Sequence, residues 1–118
     1  MYHLLDLLRK SKIVSRLDII TFVDEEDIQI LSVKAELSDG SALFVRELIT
    51  PSESKYSYHW QTKNGALICR WDNAPHHPHL AMSPHHKHEG AKENVAPSQE
   101  ITLETVLPMI ERQIRGSR

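Results

Sequence analysis

Two glycine-bearing turns, Asp39-Gly40 and Asn64-Gly65, sit between runs of alternating apolar and polar residues and constrain the fold more than any other feature. A run of period two is a strand with one wet face. Asp-Gly or Asn-Gly between two such runs signals a tight antiparallel hairpin, and the spacing predicts type I′ turns with positive φ at both central residues. Ahead of the first turn, DIQILSVKAEL puts Leu31, Val33, Ala35 and Leu37 on one side and Ser32, Lys34 and Glu36 on the other; SALFVRELI follows it. KYSYHWQ and ALICRW flank the second turn. IVSRLDIITFV reads as a further strand, with Ile13, Leu17, Ile19 and Val23 in one parity. Thr50-Pro51-Ser52-Glu53 joins the hairpins into an antiparallel meander of about five strands.

Helical patterning frames the meander. Leu4, Leu5, Leu7 and Leu8 form a one-sided stripe in MYHLLDLLRKSK. This stretch has no basic lead-in and carries Asp6, so it reads as an amphipathic helix and not a signal peptide. Near the other end Leu103, Val106, Leu107 and Ile110 line one side of a helix with Thr102 as N-cap. Pro108 should kink that helix or shift its start, and Gly116-Ser117-Arg118 reads as a frayed end. The expected fold is α+β: a single domain over 1–118, with both helices packed on one face of a twisted antiparallel sheet. A Pro/His-rich strap would cross the other face or edge. No apolar run approaches the roughly 20 residues needed to span a bilayer. Cys69 is the lone cysteine, which excludes an internal disulfide and suits a reducing cytoplasm. A formal net charge of −2 argues against wide, salt-driven binding to a phosphate backbone.

Chemistry concentrates in APHHPHLAMSPHHKH, residues 74–88, which holds six of the chain's eight histidines and three of its six prolines. Three readings compete. His77 and His79, and His86 and His88, form His-x-His pairs that place both rings on one side of an extended chain, as a metal site would use. No cysteine lies nearby and Asp72 and Glu89 are the close carboxylates, so the balance goes to no resident metal and no cofactor. Acid–base work is the second reading, since imidazole exchanges protons near neutrality. The candidates are His59, His76, His77, His85, His86 and His88, with Arg70 to stabilise charge and Asp72 to orient an imidazole. The third is a stiff loop whose rings pack against backbone. Tyr58 and Trp60, with Tyr56 on the same strand face, are either core or a stacking platform for bases. Arg46 and Lys87 are candidates to hold phosphate or substrate.

The ordered blocks YSYHWQ, LICRWDNAPHHP, SPHHKHEG and ENVAPS resemble the TumE-type toxin family of toxin–antitoxin systems, over nearly the whole chain. Met82-Ser83-Pro84 stands where a bulky aromatic is expected before the second Pro-His-His. The motif residues carried over are Tyr58, His59, Trp60, Arg70, Trp71, Asp72, Asn73, His76, His77, His85, His86 and His88. The resemblance implies a small cytoplasmic toxin neutralised by a helix-turn-helix antitoxin. Joined to the residue chemistry, it gives a metal-independent ribonuclease acting on RNA through His and Arg. The alternatives are a non-catalytic protein whose histidine surface docks an antitoxin or another target, and a His-rich metal-binding module. An edge strand such as 13–23 is available for a second copy, making a homodimer, or for the antitoxin.

Overall fold

The computed structural model describes residues 1–116. Helix α1 (Tyr2–Lys10) leads into seven strands: β1 (Val14–Asp24), β2 (Gln29–Leu37), β3 (Ala42–Ile49), β4 (Ser54–Gln61), β5 (Leu67–Asp72), β6 (His86–Glu89) and β7 (Val95–Pro97). Helix α2 (Leu103–Gly116) closes the chain. The strands form one antiparallel sheet in sequence order, a plain meander. The frayed end expected at 117–118 lies outside the described residues.

Alternation divides the sheet into two faces. Leu31, Val33, Ala35 and Leu37 of β2, Leu43 and Val45 of β3, Tyr58 and Trp60 of β4 and Trp71 of β5 turn to one side and are buried. They share a core with Leu4, Leu5 and Leu8 of α1 and Leu103, Val106, Leu107, Ile110 and Ile114 of α2. Each leucine, isoleucine or valine among them, removed from water, is worth roughly 1.5–3 kcal/mol. Helix α2 runs through Pro108 without breaking, because the buried stripe on both sides of it outweighs one lost backbone bond.

Three expectations are corrected. Both glycine turns are three-residue loops, not type I′ turns: Leu37 N–H bonds Ser41 O at 2.8 Å and Thr62 N–H bonds Ala66 O at 2.8 Å. Gly40 (φ 89°) and Gly65 (φ 88°) take positive φ, whereas Asp39 and Asn64 do not. This is a type I turn closed by a glycine bulge. Second, a register shift between Ile19 and Thr21 flips the parity of β1, so Phe22 and not Val23 pairs beside Leu31, and Ile20 is left 64% exposed.

Third, the sheet has seven strands, and the Pro/His segment does not cross a face as a strap. Residues 73–85 run through successive turns, with Leu80 N–H on His77 O and His85 N–H on Met82 O. The chain then returns as β6, beside β5, and β7 completes the edge. Pro84 precedes β6 and Pro97 ends β7, positions where a missing N–H costs no central ladder bond.

Candidate active site on the open face

The face opposite the helices carries two adjacent cross-strand rows. Ser32, Arg46, Ser57, Asp72 and His86 are paired in turn across β2 to β6. Lys34, Phe44, His59, Arg70, His88 and Val95 form the neighbouring row across β2 to β7. Register alone thus brings His59, Arg70, Asp72, His86 and His88 together.

Asp72 is the hub. Its side chain is 7% exposed and receives Arg70 Nε on Oδ2 at 3.1 Å and the Ala74 N–H on Oδ1 at 2.9 Å. His86 Nε2 stands 3.0 Å from Oδ1 and His88 Nε2 3.6 Å from Oδ2. Both rings are tethered at the other nitrogen. Nδ1 of His86 donates to Pro84 O and Nδ1 of His88 to Lys92 O, each at 2.8 Å. A carbonyl only accepts, so Nδ1 carries a proton in each ring. Nε2 faces a carboxylate, which also only accepts, so a proton or another cation has to stand between Nε2 and Asp72. His77 reaches in from the loop, its ring centroid 4.8 Å from that of His86 and 5.9 Å from that of His88. The nearest ligand nitrogens of His77, His86 and His88 all lie within 4.8 Å of one another. Burial and the neighbouring imidazoles hold the His77 pKa below its usual value.

His59 is built differently. Arg70 Nη1 donates toward its Nδ1 at 3.3 Å, and Nε2 faces Gln61 Oε1 at 3.1 Å. Partial burial first, and the Arg70 charge second, push its pKa down, which keeps the ring neutral near pH 7.

Two clefts meet here. One, of about 410 Å³, is bordered by Arg46, Lys55, Ser57, Arg70 and His76. The other, of about 710 Å³, is bordered by His59, His76, His77, His86 and His88. Arg70, Asp72 and His76 border both. Arg46 is exposed and makes no ion pair among the described residues, so its charge is free for a ligand.

Other candidates fall elsewhere. Tyr58 and Trp60 lie in the core, 2% and 3% exposed, so the base-platform reading does not hold for them. Tyr58 OH donates to Glu47 Oε2 at 2.8 Å and Trp60 Nε1 to Ser41 Oγ at 2.9 Å. Lys87 pairs across the sheet with Trp71, on the helix side, and contacts Glu89 at 3.5 Å. His85 precedes β6 in the same parity; its Nδ1 meets Tyr56 OH at 2.9 Å and its ring stacks on Tyr56. Neither His85 nor Lys87 reaches the cleft that His86 and His88 line. Lys55, absent from the residues expected from sequence, joins Arg46 at the basic cleft.

The family model described as Toxin TumE matches residues 4–116, nearly the whole chain. The chain belongs to the TumE toxin family. A toxin of this family implies a cognate antitoxin as partner. No curated protein and no solved structure matches the chain. Among the described residues no helix is long and apolar enough to cross a membrane.

Proposed function

We propose that the chain is a growth-arresting toxin that cleaves RNA in the cytoplasm and is neutralised by a helix-turn-helix antitoxin. The observation that carries this reading is His59, held neutral with its Nδ1 lone pair on Arg70, in the histidine-lined cleft that adjoins, at Arg70, the cleft bordered by Arg46 and Lys55. A backbone phosphate entering that cleft draws Arg70 toward its oxygens, since a guanidinium matches phosphate in a forked pair. The freed Nδ1 then takes the proton of a ribose 2′-OH, which attacks the phosphorus. The P–O5′ bond breaks as the new bond forms, leaving a 2′,3′-cyclic phosphate and a 5′-hydroxyl. Arg46 and Arg70 offset the charge on the phosphorane. His76, exposed where the clefts meet, is the candidate proton donor to the leaving oxygen.

The long free edge of β1 is the surface we assign to the antitoxin, with a second copy as the alternative. The net charge of −2 favours a second reading, in which the same face docks a protein without catalysis. Induced expression without an antitoxin decides between them. We expect arrest, and RNA fragments ending in cyclic phosphate. His59→Ala should abolish both, and Arg46→Ala should weaken them by about tenfold while melting like the wild type. Arrest by a folded His59→Ala protein, with RNA intact, would establish the docking reading instead.

A further inference from the structure

We infer that His77, His86 and His88 form a binding site for a divalent transition-metal ion of the zinc class. No cysteine lies nearby and Asp72 and Glu89 are the close carboxylates, yet three imidazoles suffice for a zinc site of the open type. The geometry has three features that an acid–base cluster does not need.

First, the three ligand nitrogens converge within 4.8 Å from different places in the chain, His77 from the loop and His86 and His88 from β6. Second, His86 and His88 each spend Nδ1–H on a backbone carbonyl, Pro84 O and Lys92 O. Such an outer hydrogen bond is what fixes the tautomer and aim of a metal-ligating imidazole. It also leaves Nε2 as the atom turned toward the Asp72 carboxylate, a place that a proton or a metal cation has to fill. Third, His86 is 2% and His88 9% exposed, so both rings are packed in place on the wall of the cleft they line, as ligands of one fixed centre are.

Nitrogens bound to zinc at about 2.0–2.1 Å stand roughly 3.3 Å apart, so the trio is a slightly open form of a bound site. His77, in a chain of turns and half-buried, supplies the closing movement, while the two strand histidines stay put. Asp72 contributes the negative charge beside the ligands and is itself held by Arg70 and the Ala74 N–H. Three protein ligands leave a fourth position for water or substrate, and the cleft these residues line supplies the room.

The inference stands apart from the RNA reading, because metal content is measured on free protein. The untagged chain, purified without a metal column, is equilibrated with zinc, dialysed, and its metal counted by elemental analysis. We expect close to one zinc per chain, a higher Tm with zinc, and a tetrahedral cobalt(II) spectrum after exchange. His77→Ala, on the loop, should keep the fold and lose all three responses; His85→Ala, on the opposite face, should keep them. Zinc well below one per chain in the wild type, or equal retention by His77→Ala, would overturn the site.

Discussion

At His59, burial and the Arg70 charge act in the same direction, and both oppose protonation. The unfolded chain titrates this residue near 6.5, and the folded one lower. The unfolded state therefore binds more protons in that window, so stability rises with pH. The contribution is fully present above about 6.5 and is lost as pH falls toward the folded pKa. Thermal melts at pH 7.5 and 5.5, with chelator present, should show a smaller acid drop for His59→Gln than for the wild type. An equal drop would mean that other groups carry the acid sensitivity. Elsewhere burial acts on single groups without making a site. It lifts the Cys69 thiol to about 11, and it raises the Tyr58 hydroxyl, whose proton is given to Glu47. These groups stay protonated near neutrality and belong to the core side of the sheet.

Among the elements, the hairpins show most clearly how a correct signal can still name the wrong geometry. Asp-Gly and Asn-Gly each mark a turn, but only the glycine bends backward, because each loop is one residue longer than a type I′ turn allows. This has a measurable consequence. A Cβ at Gly65 would meet nothing within 4 Å, so Gly65→Ala pays only for positive φ, about 1–2 kcal/mol in denaturant melts. Asn64→Ala should stay within about 0.5 kcal/mol, since Asn64 is not at positive φ. A type I′ turn would penalise both. The short strands β6 and β7 gave no such signal. HKHE has no apolar alternation, and its buried positions are the histidines themselves. Periodicity of hydrophobic residues cannot find a strand whose inward side chains are polar.

On the scale of the whole molecule, the helices cover one face and leave the other to the polar rows, so core and candidate site share strands but not sides. The meander has two edges of unequal risk. Strand β7 is three residues long and ends in Pro97, which blunts it. Strand β1 runs eleven residues and exposes Ile19 and Ile20, with the irregularity at Ile20 as its protection. Replacing Ile20 by Lys should leave stability within about 0.5 kcal/mol and reduce concentration-dependent association in sedimentation experiments. Association unchanged in the variant would exclude this edge as the route.

The sequence by itself determined the meander through β5, the two helices and their shared core face, because alternation and turn residues are local preferences that act wherever they occur. It also singled out His59, Arg70, Asp72 and the clustered histidines. Only the tertiary structure decided which histidines share a centre. The pairing of β5 with β6 is set across a loop with no period, and a shift of one residue would exchange His86 and His88 for His85 and Lys87. That register, a non-local choice, puts Asp72 beside His86 and Arg70 beside His88, and turns His85 to Tyr56 on the far side.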